Sequence, residues 1–296
     1  MDDAARLITS LKTKCDVPVF GNFSVSSEEP KTVIRIGSRL EKAGADVLVA
    51  YYWGEPPIKS AEKIYRSLCS SIKIPIISKM PPIVWIADPA QVAKTIEKTG
   101  VSAIQISDIL YGLPSLKIES APYHPYPAFD KVDVSYISGP MLRPLVYRAV
   151  YEMSRSVKIP IIASGGIWEA KHAIEAILYG ASAVATSSGP FLMGWRMVRE
   201  IIEGLKSYME RNNFSEIEDF RGLAQQYFAE GDKRKFDDCV ATVDETLCNG
   251  CGKCLPPAHC EAIRIVEKVA VIDESCRGCC MCSYLCPQKA ITISKI

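Results

Sequence analysis

Eight of the twelve cysteines form two copies of one motif near the C-terminus, and their spacing is that of iron–sulfur ligands. Each copy has three cysteines separated by two residues, and a fourth follows after a gap. Three thiolates at this spacing can wrap one part of an iron–sulfur cube, and a chain that folds back on itself supplies the fourth from its other copy. We therefore predict two [4Fe–4S] clusters, which pass single electrons. The predicted ligands are Cys248, Cys251, Cys254 and Cys286 for the first cluster, and Cys276, Cys279, Cys282 and Cys260 for the second.

A disulfide framework and zinc sites are the alternatives for these cysteines. Zinc sites usually pair two CxxC units, whereas each copy here is CxxCxxC with a more distant cysteine, so the spacing favours iron–sulfur clusters. From about Ala241 onward, the segment resembles bacterial two-cluster ferredoxins. The first copy departs from the usual pattern, because five residues precede Cys260 where three are usual, and Glu261 stands in place of proline. We expect a looser loop around Cys260.

Length and composition indicate one large and one small domain in a chain of 296 residues. Lys and Arg number 35 against 34 acidic residues, so no basic excess points to nucleic acid or an anionic membrane. The N-terminal MDDAARLITS lacks the apolar core of a signal peptide, and no apolar run has the length of a membrane span. Many free thiols suit a reducing compartment, so we expect a cytoplasmic protein.

Short apolar runs alternate with stretches of helical period before the cysteine-rich segment. Such alternation predicts right-handed βαβ units, and continuous apolar strands predict a parallel sheet covered on both faces. Seven predicted strands favour a barrel over an open sheet, although eight would close one. The predicted strands are 18–24, 45–52, 74–80, 102–108, 133–138, 159–165 and 182–187, and the predicted helices are 31–43, 61–72, 89–99, 143–156, 170–179 and 195–212.

These elements predict three regions of chain. Residues 1–222 form an α/β domain of the TIM (β/α)8 type, residues 223–240 form a polar linker, and residues 241–296 form a small α+β ferredoxin-like domain.

Polar and glycine residues cluster where the predicted strands end, which is where parallel barrels place their sites. Gly165-Gly166 follows a strand and opens a predicted helix, whose free N–H groups suit an anion such as phosphate. Ser187 and Ser188 end the next strand and could complete this site, and Ser138-Gly139 could add polar backbone. The alternative is that the glycines only make tight turns.

The segment 137–184 and the later NNFSEIEDFRG closely resemble the flavin barrel of dihydroorotate dehydrogenases. They also resemble the related half of dihydropyrimidine dehydrogenase, where a two-cluster ferredoxin segment follows the barrel. The resemblance implies a bound FMN. It places a further flavin-contact loop at Ser138-Gly139 and a lysine beside the flavin ring at Lys79. The residues that it places at the FMN phosphate are Gly165, Gly166, Ser187 and Ser188. A cation there would stabilise a reduced, anionic flavin.

Several substrate positions of the family are changed in this chain. Tyr51 replaces an Asn, Gly54 stands at the position of the general base, and Asp108 replaces the next substrate Asn within the expected cofactor site. The family's first strand also has no counterpart before residue 7. A partner subunit could supply the missing barrel segment; the alternatives are that the gap is real and that the start of the match is assigned wrongly.

Proton transfer therefore needs another group, because glycine cannot accept a proton. The nearby candidates are Tyr52, Glu55 and Ser60. His124, His172 and His259 match no site position of the family, and we expect them to be structural or exposed.

We predict an FMN and iron–sulfur oxidoreductase that acts on CH–CH bonds of a small-molecule substrate. Its clusters would exchange electrons with a ferredoxin, a flavoprotein or a partner subunit, and we expect an oligomer. The alternative is a non-catalytic electron-transfer or scaffold subunit whose barrel has lost its substrate chemistry.

Overall fold

The computed structural model of the chain describes residues 2–25, 29–52, 59–80, 88–106, 108–116, 118–119, 135–228, 239–255 and 260–295. It divides into two compact units, Met1–Phe228 and Ala229–Ile296. Residues 223–228, which the sequence places in the linker, belong to the first unit. There the side-chain amide of Gln225 donates to the carbonyl of Tyr179 at 2.8 Å.

The first unit is built on a six-stranded parallel sheet. Its strands lie in the order β1 Phe20–Val25, β2 Val47–Tyr52, β3 Ile76–Lys79, β4 Ala103–Gln105, β7 Ile161–Ser164 and β8 Ala183–Ala185. Helices follow most of the strands, which is the arrangement of a TIM-like barrel. The other described strands of this unit are β5 Leu110–Gly112 and β6 Ser135–Ile137. Its helices are α1 Asp2–Lys12, α2 Pro30–Lys42, α3 Lys59–Ser71, α4 Pro89–Glu97, α5 Arg143–Ser154, α6 Ala170–Leu178, α7 Ser188–Met193 and α8 Arg196–Arg211.

The strand predicted at 133–138 is wrong as a member of the parallel sheet. β6 pairs antiparallel with β5 in a separate two-stranded sheet, with Leu110 opposite Ile137. β4 pairs directly with β7, so no strand lies between them in the parallel sheet. The chain also begins with a helix that the sequence analysis did not predict. α1 is held to the segment after α2, where the Thr9 hydroxyl donates to the carbonyl of Ala43 at 3.1 Å.

Side chains of the parallel strands alternate between two apolar layers, because successive residues of a strand point to opposite faces. In β2, Leu48, Ala50 and Tyr52 join the large core that includes the helices. Val49 joins a smaller cluster with Ile77 and Ala103 on the opposite face. This alternation decides whether a residue at the end of a strand lies on the face covered by the helices or on the opposite face, with Val49.

The second unit contains two antiparallel ribbons around a small core. β9 Cys239–Val243 pairs with β12 Ile291–Lys295, and β10 Ile263–Val266 pairs with β11 Val269–Ile272. A single short helix, α9 Met281–Leu285, is present among the described residues of this unit. Across the described part of the whole chain, no helix is long and apolar enough to span a membrane.

Candidate functional site

A row of polar and aromatic residues crosses the carboxyl ends of four neighbouring strands. Ser24 is in register with Tyr51, Tyr51 with Lys79, and Lys79 with Gln105. Residues in register on parallel strands share a face, and this row continues the face of Val49 and its smaller cluster. The carboxyl ends of the strands thus present polar groups immediately beyond an apolar layer.

A buried ion pair joins Lys79 of this row to Asp108, which follows β4. The Lys79 Nζ is 3.0 Å from the Asp108 Oδ1, and the two side chains are only 9% and 8% exposed. The same Nζ is 4.7 Å from the centre of the Tyr51 ring, within cation–π distance. Removing one partner of such a pair leaves an uncompensated buried charge, which costs about 3–5 kcal/mol. Asp108 therefore holds the Lys79 side chain in place at the strand ends.

The three predicted proton-transfer residues are not brought together with this pair by any described contact. Tyr52 lies in the core on the helix side of the sheet, so its side chain points away from Lys79. Ser60 lies in α3, but its side chain, like Glu55 and Gly54, is outside the described residues. The face that Tyr52 occupies is the packed core.

Two glycine loops meet beside the end of β7. Gly139, Gly165 and Gly166 have φ angles of 91°, 110° and 74°, which residues with a side chain rarely adopt. A Cβ on Gly166 would lie 2.8 Å from the carbonyl oxygen of Gly139. The structure thus brings together the Ser138-Gly139 and Gly165-Gly166 loops, which the sequence analysis assigned to one ligand.

The helix after Gly165-Gly166 begins at Ala170, where it was predicted, and not at the glycines themselves. Its first turn is already capped. α6 starts at Ala170, and the backbone N–H groups of Trp168 and Glu169 donate to the His172 Nδ1 at 3.4 and 3.2 Å. His172 is buried, and burial followed by the nearby Arg143 guanidinium lowers its pKa. An anion would therefore have to use the glycine loop itself, because His172 occupies these two helix-start amides.

Two hydroxyl groups that the sequence analysis missed lie one residue before the expected phosphate motif. The Ser164 Oγ and the Thr186 Oγ1 are buried and have no hydrogen-bond partner among the described residues. Ser164 is in register with Ala185, so the loops after β7 and β8 leave the sheet side by side. Ser187 and Ser188 follow directly, and α7 begins at Ser188. Buried hydroxyls normally find a partner, so a phosphate- or hydroxyl-bearing ligand such as FMN fits this edge.

In the second unit, two cavities are lined by the two predicted sets of cysteines. All four cysteines of the first set line a small cavity of about 10 Å³ beside Pro287. All four cysteines of the second set line a larger cavity of about 180 Å³, together with Cys254 and Cys280. Each cavity thus includes three predicted ligands of one copy and the predicted fourth ligand of the other copy, and Cys254 lines both cavities. Among the described residues, no group of three or more His, Cys, Asp or Glu is placed to hold a single metal ion, and cluster binding stays a prediction.

The two copies of the cysteine motif have matching local structure. The first thiol of each copy accepts a backbone N–H at 3.4 Å, Cys248 from Ala270 and Cys276 from Ala241. Burial is the main factor that raises the pKa of the Cys254 thiol, and the charges of three other cysteines of its set add to it.

Cys280 occupies the position that Gly252 holds in the first copy. Both residues have a left-handed backbone, with φ angles of 66° and 69°. Cys280 therefore stands where the first copy has a glycine. It also lies outside the spacing of the predicted ligands.

Comparison with known proteins identifies the family to which the first unit is related. Residues 39–209 match the family model described as dihydroorotate dehydrogenase. The chain is 31% identical over 225 residues to the dihydroorotate dehydrogenase B (NAD(+)) catalytic subunit of Pyrococcus furiosus, an alignment that covers 73% of this chain and 71% of the relative. It is 30% identical over 224 residues to the protein of the same name from Lachnoclostridium phytofermentans, covering 68% of each. The chain belongs to the dihydroorotate dehydrogenase family of flavin oxidoreductases.

Proposed function

We propose that this chain is an FMN- and iron–sulfur-dependent oxidoreductase that exchanges electrons between a small-molecule substrate and two [4Fe–4S] clusters. The observation that carries the proposal is the composition of the two cysteine sets. Each set combines three cysteines of one copy with one of the other and lines one cavity, in a chain whose barrel belongs to a flavin enzyme family. The same order of barrel and ferredoxin-like segment supports a relationship to dihydropyrimidine dehydrogenase.

The flavin site is proposed at the carboxyl ends of the parallel strands. Gly165, Gly166, Ser187 and Ser188 would hold the phosphate, and the buried hydroxyls of Ser164 and Thr186 would gain partners.

The Ser138-Gly139 loop meets the Gly165-Gly166 loop and would line the same ligand. Lys79 would lie beside the flavin ring, oriented by its ion pair with Asp108. When bound, FMN supplies hydride chemistry at the substrate and single-electron exchange with the clusters.

The clusters would connect the flavin site to a partner. Two thiolate sets in one small unit suit a short relay of single electrons. The relatives are named as NAD(+)-dependent catalytic subunits, so we propose that this chain also acts as one subunit beside an electron-transfer partner. That partner would be a second subunit, a flavoprotein or a ferredoxin.

A second candidate function is an electron-transfer or scaffold subunit without substrate chemistry. The specific observation in its favour is that Tyr52 points into the core. This placement directs the Tyr52 side chain away from Lys79, which favours a barrel without proton transfer at Tyr52.

One preparation distinguishes the two candidates. The full chain, purified without oxygen together with any bound partner, is examined by visible spectroscopy, flavin extraction, and iron and sulfide analysis. We expect one flavin and about eight iron and eight sulfide per chain, since each cluster holds four of each. Clusters without flavin would support the scaffold function. Tightly bound zinc without sulfide would contradict both.

A further inference from the structure

We propose that Asp108 sets the charge of the substrate pocket, so that the site accepts uncharged carbonyl or amide compounds and disfavours carboxylates. This inference rests on the proposed function, since it places the substrate at the strand ends beside Lys79. It goes beyond that function because it assigns the class of substrate and the residue that selects it.

The pair lies at the edge of the sheet where the proposed function places the substrate. Lys79 is the last residue of β3, and Asp108 follows β4, the neighbouring strand, so both lie at the carboxyl edge of the sheet. Their burial separates them from the surface pairs of the chain. The Arg148–Glu152 side chains, for comparison, are 57% and 27% exposed.

Burial makes the sign of the local charge matter. Charges out of water interact strongly at short distance, and salt does little to weaken buried interactions. A carboxylate brought to Lys79 would also come within a few ångströms of Asp108, so attraction by one would be largely offset by repulsion from the other. Lys79 alone would favour an anion, whereas the pair does not.

The same pair can still recognise an uncharged group. An ammonium group has three N–H donors, and the Asp108 Oδ1 contact uses one of them. A second donor can reach a substrate carbonyl oxygen without bringing a negative charge to Asp108. The buried Tyr51 ring beside Lys79 adds an apolar surface for a flat ring. These features together favour a neutral ring that bears a carbonyl or amide.

The test compares two ligands that differ by one carboxylate. Uracil and orotate are titrated calorimetrically into the full-length chain as purified with its cofactors, and into Asp108→Asn and Asp108→Glu. We expect the wild-type chain to bind uracil at least about tenfold more tightly than orotate. Asp108→Asn should gain about tenfold or more in orotate affinity and change uracil affinity by less than about threefold, because it leaves Lys79 uncompensated. Asp108→Glu keeps the charge and should retain the wild-type preference.

Two results would overturn the inference. One is a wild-type chain that binds orotate as well as or better than uracil, which includes no measurable difference between them. The other is a folded Asp108→Asn chain with no gain for orotate.

The double variant Lys79→Met with Asp108→Asn separates charge from shape. It should show no gain for orotate, because the cation is absent, and a gain there would also contradict the proposal. The wild-type comparison decides the matter even if Asp108→Asn does not fold. Flavin content is measured on the same samples, and calorimetry needs no flavin signal, so loss of the proposed function and loss of this selectivity are seen separately.

Discussion

The position of a Cβ on Gly166 lies 2.8 Å from the carbonyl oxygen of Gly139, closer than a real Cβ approaches a backbone atom. Gly166 also has a φ of 74°. The short distance means that the two glycine loops pack directly against each other, and the φ angle means that a side chain at Gly166 would also strain the backbone. Replacement of Gly166 therefore damages the protein itself as well as any phosphate site.

We expect Gly166→Ala to lower the free energy of unfolding of the first unit more than Gly194→Ala does. Gly194 has a φ of 76° but nothing within 4 Å of its Cβ position, so it is a matched control for backbone strain alone. The control should cost about 1–2 kcal/mol, and Gly166→Ala about 1–3 kcal/mol more from the clash. Thermal unfolding followed by circular dichroism measures both. Equal losses would show that the loops can move apart at no cost.

Thr186→Val should weaken flavin binding without lowering the stability of the flavin-free protein. The Thr186 Oγ1 is buried without a partner among the described residues, so its removal leaves no protein group unsatisfied. Loss of one hydrogen bond to flavin would lower affinity about 3- to 10-fold. Flavin fluorescence titration and melting of the flavin-free chain measure the two effects.

Thr99→Val is the control for this variant. The buried Thr99 hydroxyl donates to the carbonyl of Ile96 at 2.6 Å, so its loss should lower stability by about 0.5–1.5 kcal/mol and leave flavin affinity unchanged. Unaltered flavin affinity in Thr186→Val would remove Thr186 from the site.

Cys286→Ser should remove about half of the iron and sulfide, and the lost cluster should be that of the first triad. The reason is that Cys286 lines the cavity of Cys248, Cys251 and Cys254. Cys280→Ser is the control, because Cys280 stands at a glycine position and should leave both clusters intact. Iron and sulfide analysis with electron paramagnetic resonance of the reduced protein checks this. An equal loss from both variants would contradict the assignment.

The isolated chain should fail to oxidise dihydroorotate, or to reduce uracil and thymine, at an enzymatic rate. Loss of a positioned base costs about 10²- to 10⁴-fold in rate, and Gly54 stands at the base position of the family. An anaerobic assay with an artificial electron acceptor tests this, and reduction of the protein by an artificial donor shows that its cofactors are competent. Robust turnover would refute the prediction. Variants of Glu55 and Ser60 would then identify the base.

The stability of the first unit should fall as pH is lowered below the ordinary histidine pKa of about 6.5, and His172 should account for the change. Burial and Arg143 lower the pKa of His172 in the folded chain, so the unfolded chain takes up the proton first. Stability is therefore complete above the ordinary histidine pKa and is lost as pH falls towards the lowered folded value.

His172→Gln keeps an acceptor at the third position of α6 without a titrating group. Its melting temperature should vary less between about pH 7.5 and pH 5 than that of the wild type. The carboxyl groups with lowered pKa values, such as Asp46, protonate in the folded chain below their ordinary range near pH 4, outside this window. Equal pH dependence of the two proteins would exclude His172 as the cause.

Local pattern in the sequence was sufficient for most of the parallel α/β architecture. Apolar runs and helical periods depend on neighbouring residues, so strands such as β2 and β3 and helices such as α5 lie close to their predicted positions. Cysteine spacing is equally local, and it sufficed to propose two sets of ligands. The family resemblance supplied the flavin and its expected contacts.

Pairing between distant segments decided the rest. The strand at Ser135–Ile137 exists, but only the tertiary structure pairs it with β5 rather than with the barrel sheet, because the choice depends on β4 meeting β7. Tyr51 and Tyr52 are adjacent in sequence, and the packing of helices on one face of β2 determined which of them shares a face with Lys79. The Lys79–Asp108 pair likewise joins two different strands, so no local pattern predicts that the two charges neutralise each other.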